Sequence, residues 1–259
     1  MICPSDILWQ PRLERLHLPP ECILIYDATQ TLGLIANGIN ENPLDKFPDE
    51  SKFILMGATH KTIPGPTCGL IMTKNHALAH QLDQTINPDY LRNVQFHHIL
   101  SLSLVLMELE VFGESYGQNI VKNANCLGQS LECAGFELIK KEPKLYTMTH
   151  QLFLPMPQKE LDRFSNRCRE FGITVNARYK RIYRGGGIRI GVQAVTRYGW
   201  NEEDMKEVSN ILNELRADNI NLPILSQRIS SLASRREIHY TFDNETMERI
   251  NSALHNCKF

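Results

Sequence analysis

The chain has 259 residues, 42% of them hydrophobic, and a formal net charge of -1. That length buries a core of one or two domains, and the near-zero charge excludes a nucleic-acid partner held by broad electrostatics. No apolar run reads as long enough to span a membrane. Met1–Pro20, interrupted by Asp6, Arg12, Glu14 and Arg15, lacks the pattern of a signal peptide. The seven cysteines, at 3, 22, 68, 126, 133, 168 and 257, include no Cys-x-x-Cys pair. They read as reduced thiols of a cytoplasmic protein, not as a disulfide framework or a zinc site.

Residues 1 to about 95 alternate short apolar strands with loops, as in a parallel α/β sheet. Ile23-Leu24-Ile25 reads as a strand, followed by Tyr26-Asp27-Ala28-Thr29-Gln30. An aspartate at a strand's carboxyl end either faces the ligand crevice of an open α/β sheet or caps a helix. Phe53–Met56 reads as a buried strand. It leads into Gly57-Ala58-Thr59-His60-Lys61-Thr62, a turn at Pro64-Gly65-Pro66, and a second apolar run, Gly69–Met72. A lysine there is either a surface side chain or a nucleophile whose ammonium is disfavoured by burial. Cys68, beside this motif, reads as a spectator thiol.

His97, His98 and His150 supply no tetrahedral metal set and read as ordinary histidines. Leu100, Leu102, Leu104 and Leu106 alternate like a strand, but the flanks favour a helix over Ile99–Val111. Gln118–Leu131 is an amphipathic helix, with Ile120, Val121, Ala124, Leu127 and Leu131 on one face. Gln151–Met156 and Ile188–Gly191 read as strands. Arg189, after a glycine run and among apolar neighbours, either grips a carboxylate through its planar fork or sits in a salt bridge. Asn201–Leu215 is a helix capped by Asn201, with Met205, Val208, Ile211, Leu212 and Leu215 buried. A last helix spans about Leu225–Arg235, and the polar tail after His239 reads as partly loose.

Three of these segments, in this order, resemble serine hydroxymethyltransferase, a pyridoxal-phosphate enzyme of the aspartate-aminotransferase fold type. Asp27-Ala28-Thr29-Gln30-Thr31-Leu32-Gly33-Leu34 stands for the family's Asp-x-Ala-His-x-x-Gly-Leu stretch. Thr59 to Pro66 is similar to its Thr-His-Lys-Thr-x-x-Gly-Pro stretch. Gly187-Ile188-Arg189-Ile190-Gly191-Val192-Gln193-Ala194-Val195-Thr196-Arg197-Tyr198-Gly199 fits Gly-x-Arg-x-Gly-x-x-Ala-x-Thr-x-x-Gly at every fixed position. Tyr116–Ala124 looks like the interdomain helix, and His150 precedes Leu152-Phe153-Leu154 as a family histidine precedes a strand. The resemblance runs from about Tyr26 to about Glu214.

The resemblance implies the carboxyl-terminal part of a fold type I transferase. A partial parallel or mixed sheet over 1–115 would be followed by a small α+β domain over 116–259. It implies pyridoxal 5'-phosphate held as a Schiff base on Lys61, Asp27 on the pyridinium nitrogen, and Gln30 beside the ring. Thr59 and His60 would lie next to the Schiff base, and Arg189 would clamp the substrate carboxylate. The implied reaction breaks or forms the Cα–Cβ bond of a β-hydroxy amino acid. The substrate would be serine with tetrahydrofolate, or threonine in an aldolase or transaldolase reaction.

The departures qualify that expectation. Gln30 stands where the family has a histidine, Pro64 where arginine is common, and Asn93–His98 where it has a glycine-rich phosphate loop. The part of the large domain that precedes Asp27 in the family has no counterpart of its usual length. A homodimer, a partner chain supplying that half, or a non-catalytic remnant are the alternatives that follow.

Overall fold

The computed structural model describes residues 1–256 apart from 18, 20 and 219. A three-stranded sheet comes first in the chain, from β1 (Leu24–Asp27), β2 (Phe53–Ala58) and β3 (Gly69–Met72), in that spatial order. β1 pairs parallel to β2, with Leu24 opposite Phe53 and Asp27 opposite Met56, and β3 is antiparallel to β2. Phe53, Ile54 and Leu55 are all buried, as expected of a central strand covered on both faces. β3 is an edge, with Ile71 50% exposed. Beyond β1, Ile2 adds one residue of parallel pairing: its N–H donates to the Ile25 carbonyl at 2.8 Å, and its carbonyl accepts from Asp27 N–H at 2.9 Å.

The expected loops of this half contain two helices, α1 (Leu32–Ala36) and α2 (His76–Ile86). The α2 start is set by Asn75, whose side chain accepts from Leu78 N–H. α1 is too short to announce itself by periodicity.

The two helices expected over Ile99–Val111 and Gln118–Leu131 are one, α3 (Phe96–Cys133), 38 residues and about 57 Å long at 1.5 Å per residue. The 115/116 boundary falls inside it. Its second half is buried along Ile120, Ala124, Leu127 and Leu131. Its first half is not: Phe96, Ile99, Leu100, Leu106, Met107 and Val111 are exposed. The expectation that no segment matches a membrane span is corrected here, since α3 is long and apolar enough by length and composition. Glu108, well inside the helix, is buried and ion-paired to Arg197 at 2.6 Å.

The second sheet comprises β4 (Gln151–Pro155), β5 (Asn176–Lys180) and β6 (Gly185–Gly191), antiparallel in the order β4-β6-β5. α4 (Gln158–Glu170), α5 (Gln193–Arg197), α6 (Glu202–Arg216) and α7 (Leu222–Ala233) complete this half. Asn201 caps α6 as expected: its side chain accepts from Glu203 N–H at 2.9 Å, and Asp204 returns a bond to Asn201 N–H at 2.8 Å. One apolar core joins both sheets, from Tyr26, Leu34 and Leu55 through α3 to Leu152, Leu161, Phe164 and Leu215.

Residues 240–256, the described part of the tail after His239, are folded onto the protein, contrary to expectation. Tyr240 packs on Tyr116 with ring centroids 5.1 Å apart and its hydroxyl accepts from Asn119 at 3.0 Å. Thr241 donates to Glu108, and α8 (Asn244–Asn256) follows. These contacts come from long-range polar pairing, which local composition does not report.

Candidate functional site

β1 delivers Asp27 to the edge of the first sheet, and the chain turns immediately into α1. Asp27 Oδ1 accepts from Thr29 N–H at 2.9 Å, and Oδ2 accepts from the Cys3 thiol at 3.1 Å. Burial pushes the Asp27 pKa up, but the Thr29 and Cys3 hydrogen bonds outweigh it and leave the carboxyl below its ordinary value. Asp27 is therefore an anion at neutral pH.

The Lys61 segment is locked against the start of α1. Thr62 Oγ1 accepts from Gly33 N–H at 2.9 Å and donates to the Gln30 carbonyl at 3.2 Å. A Cβ on Gly33 would lie 2.3 Å from the Thr62 carbonyl, so only glycine permits this approach. Thr59 is fully buried, and its hydroxyl is directed to the following turn, donating to the Pro66 carbonyl at 2.6 Å with Cys68 Sγ 3.0 Å away. His60 is exposed. Lys61 is half-buried, and its ammonium has no hydrogen-bond or ion-pair partner among the described residues.

His150 ties the Lys61 and Arg189 segments to one place. It is 2% exposed. Burial first, then the positive charges of Arg189 and Lys61, hold its pKa down at about 3. Both cations thus lie within electrostatic reach of one neutral imidazole, whose Nδ1 is buried without a partner. Arg189 reaches this place from β6, where it sits opposite Phe153 of β4 and Asn176 of β5. Gly187 lets the strand pass Tyr183, since a Cβ there would lie 2.2 Å from the ring.

Residues 2–8, which the sequence reading left without a role, stitch the two sheets together. Ile7 N–H donates to Gln151 Oε1 at 3.0 Å, and Thr149 Oγ1 donates to the Ile7 carbonyl at 2.8 Å. Gln151 Nε2 in turn donates to Gln30 Oε1 at 3.0 Å. Gln30 is thereby fixed at the junction of the sheets. Arg189 Nη1 donates to Asp6 Oδ1 at 3.0 Å and to the Ser5 carbonyl at 3.2 Å. No local pattern marks Ser5, Asp6 or Gln151, because each acts through a partner more than 100 residues away.

Asp27 and Arg189 therefore meet this segment directly, Gln30 meets it through Gln151, and Lys61 joins Arg189 in electrostatic reach of His150. His97 and His98, on the first turn of α3, have tilted rings with centroids 4.3 Å apart. No group of three or more metal-ligating side chains occurs among the described residues. An apolar cavity of about 320 Å³ lies elsewhere, lined by Leu127, Ile190, Trp200, Met205 and Leu232 among others.

This fold and the order of its motifs define the carboxyl-terminal part of a pyridoxal-phosphate-dependent transferase of fold type I. The family model of serine hydroxymethyltransferase matches residues 12–212, and the chain belongs to the serine hydroxymethyltransferase family. A serine hydroxymethyltransferase of Sulfolobus acidocaldarius is 29% identical over 241 residues, 89% of this chain and 54% of the relative. One of Staphylothermus marinus is 33% identical over 227 residues, 85% of this chain and 51% of the relative. The chain is also similar to the crystal structure of L-threonine transaldolase from Pseudomonas fluorescens in its internal aldimine state. That match has a TM-score of 0.80 and 30% identity, over 92% of this chain and 55% of that one. The chain thus spans about half the length of the relatives it matches.

Proposed function

We propose that this chain forms the pyridoxal-phosphate site of an enzyme that cleaves or forms the Cα–Cβ bond of a β-hydroxy amino acid. The observation that carries the reading is the shared anchoring of Asp27 and Arg189 on residues 2–6, with Lys61 and Arg189 both in electrostatic reach of the buried His150, whose Nδ1 has no partner. The residues present fit the cofactor. Lys61 offers an amine without a competing partner, Asp27 offers an anion at a strand end, and His150 offers an orphaned polar atom. When bound, pyridoxal phosphate supplies an electron sink for the carbanion at the substrate Cα.

The remaining roles belong to the protein's own side chains. Lys61 would hold the cofactor covalently through Nζ. Asp27 would keep a proton on the ring nitrogen by pairing with it. Gln30, held by Gln151, would hydrogen-bond beside the ring without titrating. Arg189 would orient the substrate carboxylate. Thr59 would shape the Lys61 turn, and His60, from the solvent side, would flank it.

Threonine is favoured over serine with tetrahydrofolate. Gln30 and Pro64 depart from the hydroxymethyltransferase pattern, and the likeness to a threonine transaldolase supports the choice. The test is the purified chain with pyridoxal phosphate and L-threonine. Release of acetaldehyde, absent from Lys61→Ala, is expected, and release that survives Lys61→Ala contradicts the site.

A second reading, that the active unit is a homodimer or needs a partner chain, rests on two observations. Residues 93–98 enter α3 without the glycines that bring backbone to a phosphate. The first half of α3 exposes Ile99, Leu100, Met107 and Val111, a patch of the kind that marks an interface. Acetaldehyde release that rises more than linearly with chain concentration supports a dimer. Release that appears only on adding the amino-terminal half of a relative supports a partner chain, and neither behaviour counts against both.

A further inference from the structure

We propose that Asp6 is an internal competitor for the carboxylate that Arg189 binds, displaced from the guanidinium when substrate arrives. The proposal rests on the reading of Arg189 given above. Asp6 is bonded to Arg189 at 3.0 Å through Oδ1 and to Lys180 through Oδ2. The Asp6 and Arg189 side chains are only 10% and 16% exposed, so water screens the pair weakly. It is a specific contact rather than a surface ion pair of little consequence.

Three features suit it to exchange. Two cations flank one carboxylate, so the cluster carries a formal charge of +1 and accepts another anion. Asp6 meets Arg189 through Nη1 alone, whereas a free carboxylate can take two parallel N–H groups of the fork. Lys180 keeps Asp6 paired after Arg189 lets go, so no buried charge is left alone. The backbone on either side stays anchored, at Ile2 beside β1 and at Ile7 on Gln151 and Thr149. The exchange therefore needs a side-chain rotation of Asp6 and no loop opening.

An internal competitor lowers apparent affinity by the fraction of molecules in which the site is free. With that fraction at roughly one tenth, Asp6→Asn tightens carboxylate binding about tenfold. The direct test is a titration of the full chain with sodium acetate, followed by the Arg189 side-chain N–H resonance, assigned by its loss in Arg189→Gln. Saturation at about tenfold less acetate in Asp6→Asn than in the parent chain is expected. Saturation at the same or higher acetate overturns the proposal.

Lys180→Met, which keeps Asp6, is a second variant. It leaves Arg189 as the sole partner of Asp6 and should weaken acetate binding, with the loss greatly reduced in an Asp6→Asn background. An equal loss in both backgrounds overturns the exchange. A third arm separates this proposal from the reading beneath it. In the chain loaded with pyridoxal phosphate, Asp6→Asn should raise the preference for glycine over glycinamide. If acetate competition holds but neither form prefers glycine, Asp6 competes at Arg189 and the substrate role of Arg189 is wrong.

Discussion

The two halves of α3 solve opposite problems. From Tyr116 to Leu131 the helix buries a continuous apolar stripe, and the hydroxyl of Tyr116 donates to the Gln193 carbonyl at 2.9 Å. From Phe96 to Val111 the residues are at least as apolar, yet six of the large ones face outward. Composition cannot explain the contrast. The helix packs on α6, α5, α1 and β4; in the first half Glu108 and Leu109 turn inward, Glu108 to Arg197 and Thr241, and the opposite face is left exposed. The difference teaches that the same helix is a core element from Tyr116 to Leu131 and carries an uncovered apolar face from Phe96 to Val111.

That comparison can be broken by substitution on each side. Leu131→Ala, in the fully buried stripe, should cost about 3 kcal/mol of stability from lost burial and the cavity left behind. Denaturant unfolding measures it, and a cost below about 1 kcal/mol would show that the stripe is not tightly packed.

Gly33→Ala comes next, at about 2 kcal/mol, because its Cβ must displace the Thr62 backbone. It should also reduce cofactor uptake, since Thr62 follows Lys61. Unchanged uptake in a folded variant would separate the lysine from this packing.

His150 gives a pH dependence. Its pKa is lowered from 6.5 to about 3 in the folded chain. Below 6.5 the unfolded chain binds the proton and the folded chain does not, so its contribution is full above pH 6.5 and is lost as pH falls toward 3. The slope approaches about 1.4 kcal/mol per pH unit at most. Unfolding curves between pH 7 and 5 should slope for the parent chain and flatten for His150→Asn. Equal slopes would mean that the imidazole is not buried neutral.

The smallest expected change in stability sharpens the other side. Ile99→Ser, at a position 51% exposed, should shift stability by no more than about 0.5 kcal/mol while reducing self-association in sedimentation. A loss of several kcal/mol would place Ile99 in the chain's own core.

The places of Asp27, Lys61 and Arg189 on their elements were legible in the sequence because their motifs are local. Asp27 ends a strand, Lys61 follows one, Arg189 lies within one, and Asn201 forms the expected cap. What was illegible depends on distance. Asp6, Gln151 and the Glu108–Arg197–Tyr240 network acquire meaning only when remote segments meet. β5 alternates too weakly, and α4 is too polar overall, to stand out from their flanks. The leucines of α3 suggest a period of two over Leu100–Leu106, whereas the helix simply carries apolar residues on its uncovered side as well.

The central claim is that Lys61 is the residue that binds the cofactor. The direct measurement is borohydride reduction of the purified chain with pyridoxal phosphate, followed by peptide mapping. A single reduced adduct on Lys61, lost in Lys61→Ala, is the result expected. An adduct spread over surface lysines, or one that persists unchanged in Lys61→Ala, would contradict the account.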